Sequence, residues 1–180
     1  MRKLALVMDT ETTGLVENML TPLARQPEVI EFCGMVVDLG GGPVIEEMDQ
    51  LIRPSRMPLP AKIVKITGIT DDALQGAPAF GDVSDMIFGM IESVPLVIAH
   101  NASFDRDMLD LEARRLGRQI AWPPVICTVE ATVAIKGHRM SLAGLHEELM
   151  GQSFSGAHRA RTDVSALVRC VVRLSEMGAI

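Results

Sequence analysis

The stretch MDTETTG (8–14) places two carboxylates, Asp9 and Glu11, one residue apart, directly after the aliphatic run LALV. Side chains alternate between the two faces of a strand, so both carboxylates point to the same side. Two like charges at the edge of a core repel each other, and burial makes their charged forms still less favourable. The pair therefore predicts a cationic ligand between the two side chains.

Two later segments each offer a further carboxylate at the start of a predicted helix. HNASFDRDML (100–109) follows a short apolar run, and Asp105 lies in the first turn of the helix after it. GAHRARTDVSAL (156–167) leads into the last predicted helix with Asp163 and, five residues earlier, His158. Two residues at this spacing lie about 140° apart around a helix. The two side chains can face one point only if His158 precedes the helix, where Gly156 allows the chain to bend.

Taken together, these side chains have the composition of a metal-dependent phosphoryl-transfer site. Carboxylate oxygens with no cysteine and a single histidine nearby suit Mg²⁺ or Mn²⁺ better than zinc. Four carboxylates around two ions about 3.5–4 Å apart would clamp the attacking and the leaving oxygen of a phosphoryl displacement. A neutral imidazole beside them can accept the proton of the attacking water.

The elements that must position these residues alternate between strands and helices. Glycines at 40–42 separate two apolar segments and predict an antiparallel hairpin. The element order then predicts one α/β domain over 1–180, with a mixed sheet of an antiparallel hairpin plus parallel strands, flanked by helices. The predicted strands are 3–9, 29–42, 44–54, 95–100 and 123–128. The predicted helices are 61–66, 79–94 and 103–117, followed by three more within 128–177.

Composition narrows the class of protein. The chain has 180 residues, 48% of them hydrophobic, and a formal charge of −6, which argues against binding nucleic acid through bulk electrostatics. The 3% of aromatic residues argues against an extended base-stacking surface. The absence of a long uncharged apolar run excludes a membrane span. Cys33, Cys127 and Cys170 are odd in number and widely spaced, which predicts reduced thiols and a cytoplasmic location.

Three segments together resemble the motifs of a known family. DTETTGL, HNASFD and HRARTDV are similar, in order and approximate spacing, to the three motifs of the DEDDh 3′→5′ exonucleases. That family includes the proofreading subunit of bacterial DNA polymerase III. PEVIEFCGMVVD resembles its second strand, and RPSRMPLPAKIVKITGITDDAL resembles the connector that follows its third. The resemblance implies a ribonuclease-H-like fold and hydrolysis at 3′ ends with release of nucleoside 5′-monophosphates.

The resemblance also implies a role for each residue of the acidic cluster. Asp9 would bridge two Mg²⁺ or Mn²⁺ ions, and Glu11 and Asp163 would complete one metal site. Asp105 would serve the other ion, largely through water. His158 would be the general base.

A second group of residues is implied to bind the end of the substrate. The chain departs from the family here, because Thr67 stands where many relatives have a histidine that helps to separate the last two bases. A threonine cannot stack as an imidazole does, so terminal unstacking would depend on the apolar side chain of Ile66. The implied substrate-binding residues are Thr12, Thr13, Gly14, Leu15, Ile66, Thr67 and Phe104.

Several interpretations of the biological role stay open. The implied partner is a nucleic acid with a free 3′ end, with single-stranded DNA favoured, and a polymerase subunit is a further candidate partner. Proofreading, independent DNA trimming and RNA end processing compete within the exonuclease interpretation. The short C-terminus without a clamp-binding peptide favours an independent nuclease. A noncatalytic nucleic-acid-binding module and a metal-dependent phosphatase or nucleotide hydrolase are the alternatives outside it.

Overall fold

The structure is a computed structural model that describes residues 3–18 and 20–180. The strands in these residues are Leu4–Thr12 (β1), Val29–Asp38 (β2), Glu46–Leu51 (β3), Val97–Ala99 (β4) and Val125–Cys127 (β5). The helices are Ala61–Thr67 (α1), Asp71–Leu74 (α2), Phe80–Glu92 (α3), Ala102–Arg115 (α4), Thr128–Lys136 (α5), Leu142–Met150 (α6) and Ala160–Glu176 (α7). A single 3-10 turn spans Leu23–Arg25.

The strands form one mixed sheet in the order β3-β2-β1-β4-β5. β2 is antiparallel to both β1 and β3, whereas β4 is parallel to β1 and to β5. This arrangement confirms the predicted fold class, an antiparallel hairpin joined to parallel strands. The short α2 and the 3-10 turn were not predicted, and each is too short to show a helical repeat of apolar residues.

β1 is longer than predicted, and this changes the surroundings of the first two carboxylates. The strand was expected to end at residue 9, but its pairing with β2 continues, with Asp9 opposite Cys33 and Glu11 opposite Glu31. The register shifts only between Glu11 and Thr12. Both carboxylates therefore project from a hydrogen-bonded strand, which fixes their spacing more tightly than a loop would.

The alternation along β1 sends successive residues to different helices. Val7 packs in a core with Leu167 and Val171 of α7. Met8 packs on the opposite face with Ile87 of α3 and Met108 of α4. Continuing the same alternation, Asp9 and Glu11 point toward α7 and the residue between them points toward α4.

The helices complete two layers around the sheet. α3, α4 and the three C-terminal helices match the predicted spans to within a few residues. α4 ends at Arg115, just before Gly117, whose φ of 67° is suited to a helix end. None of the helices in residues 3–18 and 20–180 is both long and apolar enough to cross a membrane.

Two glycines, Gly34 in β2 and Gly89 in α3, give a prediction about stability. A Cβ on Gly34 would lie 2.9 Å from Met90 Sδ and 3.0 Å from Leu6 Cδ1, so Gly34→Ala should destabilise the protein by about 1–3 kcal/mol. Gly89 lies inside α3 with open space where its Cβ would be, so Gly89→Ala should stabilise by about 0.5–1 kcal/mol. Urea unfolding of both variants measures the two effects. If both variants changed the free energy of unfolding by the same amount in the same direction, the packing described around Gly34 would be contradicted.

Candidate active site

Three of the predicted side chains meet at the point where β1 approaches the start of α7. Glu11 projects from β1, and Asp163 lies in the first turn of α7 with 8% of its surface exposed. His158 precedes the helix, which begins at Ala160, as the spacing of the two residues required. One ligand atom from each of Glu11, His158 and Asp163 lies within 4.8 Å of the others.

Asp105 reaches the same cleft from the opposite layer of the molecule. It lies in the first turn of α4 and is 2% exposed. Its Oδ1 accepts hydrogen bonds from the backbone N and the Oγ1 of Thr10, at 2.9 and 2.8 Å. Thr10 is the residue between the two β1 carboxylates, so these bonds join α4 to β1 at the site. They also occupy Oδ1 of Asp105.

His158 has an unusual backbone conformation for a residue other than glycine. Its φ is 67°, in the left-handed region. Its backbone N donates to Asp163 Oδ2 at 2.8 Å, and the Asp163 N donates to the carbonyl of Arg159 at 3.0 Å. The turn before α7 therefore closes on the acidic residue of the first helical turn and brings the imidazole to the carboxylates.

The carboxylates at this site are electrostatically unfavourable without a cation. Burial raises the pKa of Asp9 well above its ordinary value, and repulsion from Asp105, Glu11 and Asp163 raises it further. Burial and neighbouring carboxylates raise the pKa of Glu11 to about 8. The pKa of Asp105 rises to about 7 through burial, although the Thr10 hydrogen bonds oppose the shift. The pKa of Asp163 is also raised, chiefly by burial.

This donor set fits divalent cations. No hydrogen-bond donor within residues 3–18 and 20–180 contacts the carboxylate of Asp9 or Glu11, so their oxygens remain available. Carboxylate oxygens are the ligands preferred by Mg²⁺ and Mn²⁺. A bound cation would also offset the repulsion that contributes, after burial, to the raised pKa values of Asp9 and Glu11.

Two neighbouring cavities share a boundary at this site. The cleft that holds Asp9, Glu11, Asp105, His158 and Asp163 has a volume of about 620 Å³. A second cavity of about 400 Å³ adjoins it, and Phe104 and Leu15 line both. All the predicted substrate-binding residues line the second cavity: Thr12, Thr13, Gly14, Leu15, Ile66, Thr67 and Phe104.

The side chains of this second cavity, called the end pocket below, differ in accessibility. Leu15 is 78% exposed and Ile66 is 41% exposed, so both present apolar surface to solvent. Thr67 is 4% exposed, and its Oγ1 donates to the Ile63 carbonyl and accepts from the Ile69 N. Its hydroxyl therefore serves the end of α1. Leu15, Ile66 and the partly buried Phe104 supply apolar surface to the end pocket.

The two walls of the end pocket are joined through Glu28. On one side the Glu28 N donates to Thr13 Oγ1, and the Thr13 N donates to the Glu28 carbonyl, both at 2.9 Å. On the other side its carboxylate accepts from the Ser55 N at 2.6 Å and from Arg56 Nε at 3.1 Å. Ser55 and Arg56 lie in the connector that leads to α1, so one buried residue joins the two walls, through its backbone on one side and its carboxylate on the other.

Two further residues of this region were not found by sequence reasoning. Glu31 is fully buried and lies directly opposite Glu11 in the sheet. Arg159 donates to Glu31 from Nη2 at 2.8 Å. A charged residue inside the otherwise apolar run VIEFCGMVVD was the available signal for Glu31. Its pairing with a residue 128 positions away could not be read from that signal.

His100 also lines the cleft that holds the acidic cluster. Its Nδ1 lies 2.9 Å from Thr128 Oγ1, and burial lowers the pKa of its imidazole. The bond to Thr128 agrees with a structural role at the edge of the cleft.

Comparison with known proteins identifies the class to which this fold and site belong. Residues 6–171 match the RNase_T family, described as exonuclease. The chain belongs to this exonuclease family, which confirms the resemblance seen in the three motifs.

Individual relatives show where such a domain occurs. The chain is 39% identical over 180 residues to DNA polymerase III PolC-type of Bacillus subtilis (strain 168), covering 96% of this chain but 11% of that protein. It is 32% identical over 130 residues to DNA polymerase III subunit epsilon of Buchnera aphidicola, covering 72% of this chain and 54% of that subunit. The chain thus spans about a tenth of the length of the PolC-type relative.

A solved structure shows the same fold at low sequence identity. The nuclease domain of 3′hExo, a DEDDh family member bound to rAMP, aligns with a TM-score of 0.79 and 17% identity. The alignment covers 99% of this chain and 94% of that one. The sheet and its helices are therefore those of this class of nuclease domain.

The raised pKa values predict how stability depends on pH and metal. Carboxyl groups with raised pKa values bind protons more tightly in the folded state, so their stabilising contribution is lost as pH rises through the folded pKa. For Glu11 this interval runs from 4.5 to about 8. The Tm in EDTA should therefore fall from about pH 5 to about pH 8, and Mg²⁺ should raise it most at the upper end. Thermal unfolding at several pH values measures this, with Glu11→Gln as a variant whose decline should be smaller. A Tm in EDTA that rises over this interval would contradict the electrostatics described here.

Proposed function

We propose that this chain is a 3′→5′ exonuclease domain that removes nucleoside 5′-monophosphates from the 3′ end of DNA, with single-stranded ends preferred. The observation that carries the proposal is the cluster of Glu11, His158 and Asp163 in a cleft that opens into a pocket of about 400 Å³. Reactive groups and a pocket for the terminal nucleotide thus lie side by side. That arrangement suits cleavage at a chain end.

Two Mg²⁺ or Mn²⁺ ions are the proposed cofactors. Asp9 would contact both ions, Glu11 and Asp163 would hold one, and Asp105 would serve the other, largely through water. When bound, the ions would supply charge stabilisation for the attacking and leaving oxygens of the phosphodiester. The Thr10 hydrogen bonds to Asp105 support the indirect role, because they already occupy one of its oxygens.

His158 is the proposed general base. It lies at the edge of the cleft, exposed to solvent, and its backbone is fixed by the bond to Asp163. An exposed imidazole next to the carboxylates can accept a proton from the attacking water and release it to solvent. The chain offers no second histidine in the same cluster within the described residues.

The end pocket is the proposed site for the terminal nucleotide. Thr12, Thr13 and Gly14 bring backbone groups to its wall, whereas Leu15, Ile66 and Phe104 supply apolar surface. Because Thr67 is buried, Ile66 would separate the last two bases without help from a stacked ring. The formal charge of −6 and the few aromatic residues then limit binding to a short terminal stretch.

The DNA preference rests on the relatives. Both sequence relatives described above are DNA polymerase III components, which also supports contact with a polymerase subunit as the biological setting. The structural relative carries rAMP, so trimming of RNA 3′ ends is the second candidate. The three free cysteines support a reducing, cytoplasmic setting.

A direct assay distinguishes these functions. Oligonucleotides of DNA and RNA, single-stranded or paired with a terminal mismatch, are labelled at the 5′ end and incubated with Mg²⁺ or Mn²⁺. A 3′→5′ exonuclease gives a ladder that shortens stepwise, and chromatography identifies the mononucleotide product. Asp9→Asn is the inactive control, and its loss of activity should span orders of magnitude because a ligand of both ions is removed. Full-length substrate after exhaustive incubation, or release of inorganic phosphate alone, would refute the proposal.

The role of His158 gives a separate prediction. His158→Ala should lower kcat by about 10²–10⁴-fold, the usual contribution of a positioned acid–base group, while KM changes little. Hydroxide can take over proton removal, so the variant should recover part of its activity at high pH. Steady-state kinetics over a range of pH measure both effects, and His138→Ala, on an exposed turn, is the matched control. A His158 variant with wild-type kcat would show that another group accepts the proton.

A further inference from the structure

The residue after His158 makes an extended contact with the sheet. Arg159 Nε lies 3.1 and 3.3 Å from the two carboxylate oxygens of Glu31, and Nη2 lies 2.8 Å from Oε1. The next residue, Ala160, donates its backbone N to Glu31 Oε2 at 2.8 Å. Both oxygens of Glu31 are therefore bound by the two residues that follow the proposed base.

Glu31 provides a fixed point of attachment in the sheet for Arg159 and Ala160. It is fully buried and lies in β2 directly opposite Glu11. Its side chain therefore points to the same face of the sheet as those of Asp9 and Glu11. Its oxygens are occupied by donors, in contrast to those of Asp9 and Glu11. Glu31 is thus placed among the proposed metal ligands without being free to act as one.

The backbone conformation of His158 explains why the neighbouring residues must be held in place. A left-handed backbone at a residue other than glycine persists only when the surrounding contacts hold it. The backbone N of His158 itself donates to Asp163. The next two residues, Arg159 and Ala160, donate to Glu31. Releasing either anchor would let the backbone relax and move the imidazole away from the cleft.

We propose that Glu31 and Arg159 are a positioning pair that holds the imidazole of His158 at the cleft, where it can act as the base. The inference rests on the proposed function, because it assigns the pair to the base of that reaction. The pair acts through the backbone of residues 158–160, and neither side chain needs to touch the substrate.

The chain contains a matched control for this pair. Arg161, two residues further on, makes a comparable ion pair from α7 to the sheet, with Nε 2.9 Å from Glu47 Oε1. The side chains of Arg159 and Arg161 are 47% and 60% exposed, so either can be truncated without opening a core. Only Arg159 adjoins His158. A role limited to fastening α7 would make the two truncations equivalent.

The first test compares kinetics. Arg159→Ala should lower kcat by roughly 10–100-fold with KM almost unchanged, since a displacement of about 1 Å of a reactive group has effects of this size. Arg159→Lys should recover little, because an ammonium cannot bind a carboxylate through two parallel bonds. Arg161→Ala should keep wild-type kcat. A kcat that stays at the wild-type value in Arg159→Ala, or falls equally in Arg161→Ala, would overturn the positioning role.

The second test asks whether Arg159 acts through His158. In the His158→Ala background, Arg159→Ala should lower kcat by less than about twofold, because two residues that act as one unit are not additive. The same large decrease in both backgrounds would show that Arg159 acts independently, for instance on a substrate phosphate. If His158→Ala alone keeps full activity, the base assignment fails and the positioning role fails with it.

The third test does not depend on nuclease activity. Hydrogen exchange followed by NMR reports the protection of the His158 and Ala160 amides, which are bound to Asp163 and Glu31. Arg159→Ala should speed exchange at both amides by about tenfold or more, whereas Arg161→Ala should leave both rates unchanged. Unchanged exchange in Arg159→Ala would overturn the proposal even if the chain proves to be an exonuclease. Faster exchange would support it even if the proposed substrate is wrong.

Discussion

Mutual repulsion between carboxylates is the constraint on which the rest of this structure depends. Asp9, Glu11, Asp105 and Asp163 converge on one cleft, and burial raises the pKa of each of them, with repulsion from neighbouring carboxylates raising the pKa of Asp9, Glu11 and Asp163 further. Such a group does not assemble by itself, since every member would be more favourably solvated apart. The hydrophobic cores on the two faces of the sheet supply the opposing free energy, because β1, α4 and α7 cannot separate without exposing them.

Different contacts hold the carboxylates in different ways. Asp105 and Asp163 accept hydrogen bonds from the neighbouring backbone, which partly offsets their burial. Glu31 is paired with Arg159, so a fifth acidic residue can lie among them without adding a free ligand. Asp9 and Glu11 have no such donors in the described residues. The two side chains of β1 are therefore the carboxyl groups whose charged forms depend most on a bound cation.

Much of this could be predicted from the sequence, and the failures have a physical pattern. The hairpin, the parallel strands and the long helices follow from runs of apolar residues, because burial periodicity is a local signal. The convergence of Asp9, Glu11, Asp105, His158 and Asp163 was predicted from the types and positions of these residues and from a resemblance that extends over nearly the whole chain. The extension of β1 to Thr12 was missed because polar residues ended the apolar run while the backbone pairing continued.

Glu31 and Arg159 were missed for a different reason. Each looks ordinary in its own segment, one as a single acidic residue in a strand and the other as one arginine among several. Their importance lies in a contact between distant parts of the chain, and no local sequence pattern predicts that contact. The same holds for Glu28, whose bonds to Thr13 and Ser55 link segments that approach each other only in the folded state.

The separation between Glu28 and Glu31 has a consequence for how such a domain can diversify. Glu28 immediately precedes β2 and Glu31 lies three positions later within it, yet Glu28 joins the walls of the end pocket and Glu31 binds the segment that follows His158. The shape of the pocket is thus anchored independently of the reactive groups. Changes in α1 or in the loop after β1 can alter which chain ends are accepted while the chemistry is inherited intact. One scaffold can in this way supply nucleases of differing selectivity.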